Sequence, residues 1–360
     1  MSIPPKVHIL NRFSGAEDDT LLFLPNLTLW YGWHHRHGTL PVDWQDLTLS
    51  QICAELGVPV WESVRPYEIE WGAVRVERHE SEQHREIRYC LGTDTLVERW
   101  QLGPDGDWWQ VEYPVKSHAD LAVLLKMVRE RSYRWLPERL EPVLEAVGEA
   151  GTVAALLPRR PFAQLLLEWL GWSEGLMLLF DAEMAAQQIL RLLEEQVASV
   201  EERAAQLPVE IIVSPDNLDA QFISPGFFAR YLSDSYRRAA ARFHKAGKYL
   251  MVDTGGAVWH LLEHLAAGGV DGVQGVCGPP QSDAPLARAR AVLGPDFTLW
   301  GGIPQDALLP QFPRDRFEES VQEAMAVARQ DSRVILGIAD RVPVQADLGR
   351  LQQVIAWCAA

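Results

Sequence analysis

Five polar stretches, each directly behind a run of apolar residues, hold the side chains best suited to chemistry. Asp216 and Asn217 follow VEIIV, Asp253 follows YLMV, Cys277 follows GVQGV, and Asp340 follows RVIL after a short spacer. A carboxylate so placed can serve as general acid or base, orient a hydroxyl or amine, or ligate a metal. A thiolate can ligate a soft metal. Arg159 and Arg160 stand behind the fifth run, GTVAALLP, where a planar guanidinium can hold a carboxylate or phosphate through paired hydrogen bonds. Nearer the N-terminus, WHHRH places His34, His35 and His37 behind Trp30 and Trp33. Adjacent histidines on a strand face opposite ways, so at most two share a site, and zinc normally takes a third protein ligand. The plainer reading is a polar loop with the tryptophans stacked on it and one histidine against substrate.

The elements that must position these groups follow one rhythm. Ser224 is suited to cap a helix that begins at Pro225, since proline's fixed φ suits the first helical residue and its missing N–H is not needed there. Phe228, Leu232, Ala239 and Phe243 recur on one face, and Gly247 ends the helix. YLMV then reads as a buried strand, Asp253-Thr254-Gly255-Gly256 as a turn into a helix ending at Gly268-Gly269, and GVQGV, LARARAVL and FTLW as strand, helix, strand. Strands separated by helices are parallel βαβ units. Such folds keep their chemistry just past the C-terminal ends of their strands, and the family resemblance of these motifs implies a TIM barrel. Seven barrel strands are legible, counting one at the start of residues 20–37 that runs into a loop. The eighth must come from near the N-terminus, or the barrel is distorted.

Between about 58 and 115 the texture changes to strict alternation (VRVER, REIRYCL, TLVERWQL, WWQVEYP) with turns at LGTD and GPDGD, which predicts a β-rich insertion. Ser117 and Asp120 form a capping pair for the next helix. The helix expected over 182–206 carries Ile189, Leu193, Val197, Val200, Ala204 and, just past it, Leu207 on one stripe, with its charged face toward water.

The chain has 360 residues, 48% of them hydrophobic and 23% charged, which suits one large α/β barrel domain. A formal net charge of −16 argues against nucleic acid and anionic membranes as partners. No apolar run is long enough to span a bilayer, and MSIPPKVHIL lacks the pattern of a signal peptide. Four scattered cysteines without a CxxC pair fit a reducing cytoplasm.

Taken together, ISPGFF, AGKYLMVDTGG, GGVDGVQGV, the strand ending WGGIP and, later, VILGIADRVP resemble the C-terminal half of the uroporphyrinogen decarboxylase superfamily. The likeness rests on the order and spacing of these motifs, reaches back to about Pro208, and extends more weakly over the N-terminal part. That superfamily places porphyrin decarboxylases and cobalamin- or coenzyme M-dependent methyltransferases on a TIM barrel. WQVEYPVKSHADL and GPPQSDAPLARAR are similar to its methyltransferase-like branch. The resemblance implies a small-molecule substrate, a methyl group passed to a corrinoid protein or thiol, and a homodimer. It also implies site residues: Asp216 and Asp253 in catalysis, with Asn26, Trp30, His34, His35, Arg159, Arg160, Asn217, Gln221, Trp300 and Asp340 around substrate. Asp216 to Gln221 (DNLDAQ) match the branch's acidic-amide loop.

The branch's zinc motif, His-x-Cys-Gly, falls here on Val252 and Thr254, which are not zinc ligands. Cys277 remains as a candidate ligand, either with Asp253 and Asp340 in a mixed site or as a buried thiol beside a metal-free pocket. The porphyrin branch has an arginine-rich N-terminal cleft with an aspartate. NLTLWYGWHHRHG offers only Arg36 and no aspartate, which weighs against a porphyrin substrate. Two alternatives stand beside methyl transfer: a metal-free decarboxylase using Arg159 or Arg160, and a barrel that binds ligand without turnover.

Overall fold

A computed structural model of the chain describes residues 3–18, 20–172 and 174–360, the side chain of Glu174 excepted. Its strands are β1 (Val60–Val64), β2 (Tyr67–Glu70), β3 (Arg75–Glu80), β4 (His84–Leu91), β5 (Asp94–Leu102), β6 (Trp108–Glu112), β7 (Ser132–Trp135), β8 (Gly151–Leu156), β9 (Ile211–Leu218), β10 (Tyr249–Thr254), β11 (Gly272–Cys277), β12 (Thr298–Ile303) and β13 (Val334–Ile338). The chain divides into two compact units, one comprising 1–64, 138–156 and 207–360, the other 65–137 and 157–206.

The first unit is the TIM barrel. A seven-stranded sheet runs β1-β8-β9-β10-β11-β12-β13, parallel throughout. The eighth position, beside β13, is taken by residues 22–24. Phe23 forms an isolated parallel bridge to Leu336, Leu24 N–H donates to Leu336 O at 2.8 Å, and Leu336 N–H donates to Leu22 O at 2.9 Å. Two expectations change here. The barrel strand left unplaced by the sequence is β1, whose residues were assigned to the β-rich insertion. And the first strand leads into a helix, Thr28–His37, rather than a loop.

Alternate residues of the barrel strands turn inward, as the strand period of two requires. Leu22, Leu24, Trp61, Ala154, Ile211, Val213, Met251, Trp300 and Ile335 pack into one buried cluster. The Trp61 and Trp300 rings meet edge to face, 4.6 Å between centroids. Ile9 and Phe13, from the helix Pro5–Ser14, join the same cluster. Arg12 on that helix is 1% exposed. It donates to the carbonyls of Asp18 and Ser332, both at 3.0 Å, and to that of Thr20. The helical layer follows the local signals. Ser224 Oγ accepts from Phe227 N–H at 3.2 Å ahead of Pro225, and Gly247 takes the left-handed conformation (φ 70°) behind the helix Ser233–Lys245.

The second unit holds an antiparallel pair, β2-β7, and a four-stranded antiparallel sheet, β3-β4-β5-β6. Ser117 caps the helix His118–Glu130 by accepting from Asp120 N–H at 3.2 Å. The helix Glu183–Ala204 buries the predicted stripe Ile189, Leu193, Val197, Val200 and Ala204. Trp71, Tyr89 and Trp169 form a small aromatic core with centroids 4.9 to 5.8 Å apart. Among the described residues no helix is long and apolar enough to cross a membrane.

Candidate active site

The C-terminal ends of β10, β11 and β13 bring acid and amide groups together. On β10, Met251 faces the barrel core, and Asp253, two residues on, shares its side of the sheet. Gln274 of β11 is the register partner of Asp253 on one side and of Trp300 on the other, so it lies beside both in the sheet. The Gln274 side chain is 6% exposed and donates to Asp340 O at 2.8 Å. Its backbone carbonyl accepts from Thr254 Oγ1 at 2.7 Å. Asp340, just past β13, has φ 67°, an uncommon conformation that Asp tolerates better than bulkier residues. Gln305 Nε2 donates to its carboxylate at 3.4 Å, and Arg341 Nε lies 3.3 Å away. Desolvation raises the Asp340 carboxyl above the ordinary range, against the opposing pull of Arg341 and the Gln305 hydrogen bond. Gln281 links the neighbouring loops, donating to Ala339 O at 3.3 Å and accepting from Gln305 N–H at 2.7 Å.

Asp216 sits elsewhere. Ile211 and Val213 turn into the barrel core, so Ser214 and Asp216 lie on the other side of β9, toward the helices. The Asp216 side chain is fully buried and accepts from Ser214 Oγ at 2.8 Å and from Tyr236 OH on the helix Ser233–Lys245. The carboxylate expected to lead catalysis therefore ties strand to helix. Asn217 is exposed with φ 49°. A Cβ on Gly255 would collide with its side chain, and one on Gly256 with Asp219, which explains the glycine pair behind β10. Asp219 accepts from Gln221 N–H at 2.8 Å, and Gln221 itself is exposed.

Several aromatic and basic candidates also have other duties. Trp300 is 1% exposed and donates from Nε1 to Leu24 O at 3.1 Å, so it is core rather than pocket. Trp30, 5% exposed, packs against His34 and Trp44. His34 is held by Thr39 Oγ1 at 2.7 Å and Val344 O at 2.8 Å. His35 is exposed beside the Tyr31 ring, and His37 stacks on Trp33. Asn26 accepts from Thr28 N–H and Oγ1, at 3.2 and 2.6 Å, ahead of the helix. Arg159 and Arg160 belong to the second unit. Arg160, 1% exposed, meets the equally enclosed Glu201, and Arg159 Nη1 lies 3.1 Å from Glu168.

The donor set does not fit zinc. Val252 is apolar and wholly buried, and the Thr254 hydroxyl is spent on Gln274 O. Cys277 is buried, and its thiol, whose Sγ lies 3.2 Å from Gly278 O, is pushed up to about 12 by desolvation. Among the described residues no three His, Cys, Asp or Glu side chains gather as a metal-ligand set. The mixed site of Asp253, Cys277 and Asp340 is therefore not assembled.

The fold is thus a TIM barrel with acid and amide groups at the C-terminal ends of its strands, the class of scaffold the sequence motifs pointed to. No family model matches the chain, and neither does any curated protein. Among solved structures it is similar over its whole length to a methyltransferase from Methanosarcina mazei, with TM-score 0.60, 15% identity and 99% of each chain covered. A D-psicose 3-epimerase studied in the presence of D-fructose aligns over 65% of this chain and 84% of its own at 9% identity, and its TM-score of 0.34 carries no weight.

Proposed function

We propose that this chain is an enzyme of the methyltransferase-like kind, moving a methyl group from a small substrate to a corrinoid protein or a thiol. The carrying observation is the cluster of Asp253, Gln274, Gln305 and Asp340 at the strand ends. A barrel that follows a methyltransferase from end to end supports the same reading. When a methyl group leaves oxygen, nitrogen or sulfur, the acceptor's electron pair forms the new bond to carbon. The electrons of the broken bond stay on the heteroatom, which then needs a proton. Asp340, raised by desolvation against the pull of Arg341 and of the Gln305 hydrogen bond, is the candidate donor of that proton. Asp253 is placed to orient the substrate. No step is assigned to zinc, because Val252 and Thr254 offer it no ligand. Decarboxylation has less support, since Arg159 and Arg160 are both occupied by carboxylates of their own unit.

The test is a methyl-transfer assay with methanol, methylamines and methyl thiols as donors and reduced cobalamin or a free thiol as acceptor. Positioned acid catalysis is worth roughly 100- to 10,000-fold, so Asp340→Asn is expected to lower kcat by that order, and Asp253→Asn to weaken substrate binding. Ordinary kinetics in both variants would overturn the assignment. A pull-down that never recovers a corrinoid protein would leave the thiol as acceptor.

A further inference from the structure

The interior of the second unit holds a buried guanidinium with no ion-pair partner among the described residues. Arg131, directly after the helix His118–Glu130, is 3% exposed. Its Nε donates to Gln196 Oε1 at 3.0 Å, and its Nη2 to Tyr133 OH and Gln164 Oε1, both at 2.9 Å. Every one of these acceptors is neutral. The guanidinium also lies near two aromatic rings, 5.1 Å from the Tyr133 centroid and 5.9 Å from that of Trp71. Among the described residues Arg131 has no ion-pair partner, and its buried Nη1 has no acceptor. Arg160 in the same unit shows the ordinary arrangement, a buried guanidinium against a buried carboxylate.

Tyr133 shares the deficit. Its hydroxyl oxygen accepts from Arg131 Nη2 and from Gln164 Nε2, the latter at 3.4 Å. Its own hydrogen has no acceptor among the described residues. Burial, chiefly, raises the phenol, so it stays protonated and remains a donor. Enclosing an ion is costly, and ring contacts and neutral hydrogen bonds offset that cost only in part. Two neighbouring donors, one carrying a full charge, call for an acceptor with two oxygens and a negative charge.

We propose that Arg131 Nη1 and Tyr133 OH hold the carboxylate of a small organic acid, in a site of the second unit separate from the barrel's acid–amide cluster. Tyr133 is partly exposed. A phosphate, with more charge to neutralise, fits a single guanidinium and a phenol less well.

Isothermal titration of the full chain with sodium acetate and sodium benzoate tests this, with chloride and inorganic phosphate as controls at constant ionic strength. Saturable binding of a carboxylate and none of chloride is expected. Tyr133→Phe should weaken binding by about tenfold, the worth of one charge-assisted hydrogen bond. Arg131→Lys keeps the charge but loses the planar fork, and should weaken it at least as much. Arg131→Met should abolish it. Should Arg131→Met fail to fold, judged by circular dichroism, the two milder variants still decide the matter. No saturable carboxylate binding, or equal affinity in Tyr133→Phe and Arg131→Lys, overturns the site. Binding of phosphate in preference to carboxylate overturns the class of ligand.

Discussion

Replacing Glu98 by glutamine should remove a pH dependence from the stability of the protein. Glu98 lies on β5, 6% exposed, accepting from Tyr89 OH at 3.1 Å and from Gln110 Nε2 at 2.9 Å. Desolvation raises its carboxyl from 4.5 to about 7. Glu168 pushes the same way, while the nearby Trp100, the hydrogen bond from Tyr89 and the charge of Arg78 pull back. Each tenfold change in proton affinity is worth about 1.4 kcal/mol, so the difference between folded and unfolded chain comes to roughly 3 kcal/mol. The folded state binds this proton more tightly, so its contribution is complete below about pH 4.5 and is lost as pH rises through about 7. Urea unfolding of the native protein and of Glu98→Gln, at intervals from pH 5 to pH 8, isolates the group because other titrations cancel in the difference. The native protein should lose about 2.5 kcal/mol relative to the variant across that range, since part of the loss is already complete at pH 5. A difference constant within about 0.5 kcal/mol would refute the reasoning, since a group with an ordinary carboxylate pKa contributes almost no slope there.

Three further outcomes follow from buried contacts. Tyr236→Phe removes a donor from the enclosed Asp216 and should cost about 1–3 kcal/mol in denaturant unfolding, whereas full stability would mean that Asp216 does not depend on it. Arg160→Met leaves Glu201 buried without this partner and should cost about 3–5 kcal/mol, with a loss below 1 kcal/mol counting against a closed pair. The Cys277 thiol should resist a maleimide in the native protein and react once unfolded. Near-stoichiometric zinc lost in Cys277→Ala would show instead that the thiol is a ligand.

The barrel was readable because its strands are short apolar runs flanked by helix signals such as Ser224-Pro225 and Gly247. Two elements of this unit were harder. Val60–Val64 runs almost directly into the alternating strands of the second unit, so nothing in its pattern separates it from them. WYGWHHRH has no clear apolar period, and only the structure shows it as a helix. The candidate site was legible as positions and not as directions. That Asp253 faces inward while Asp216 faces the helices depends on strand phase, which one residue of slippage reverses. Gln274, Gln281 and Gln305 gave no signal, because a glutamine matters here only through the backbone carbonyls and side chains that surround it. The inward turn of Gln274, two residues from Gly272 on β11, could have been found from the same alternation that places Met251 and Asp253.

The bridge between Phe23 and Leu336 has a consequence for synthesis. The barrel's first strand pairs with its last, and Arg12 on the opening helix reaches a carbonyl 320 positions along. A nascent chain emerging from a ribosome exposes Ile9, Phe13, Leu22 and Leu24 long before β13 exists to receive them. Contacts so far apart in sequence form slowly, and unsatisfied apolar segments are prone to aggregate while they wait. The closing step of the barrel therefore waits until β13 has been made, and until then the first thirty or so residues are the segment most in need of a chaperone.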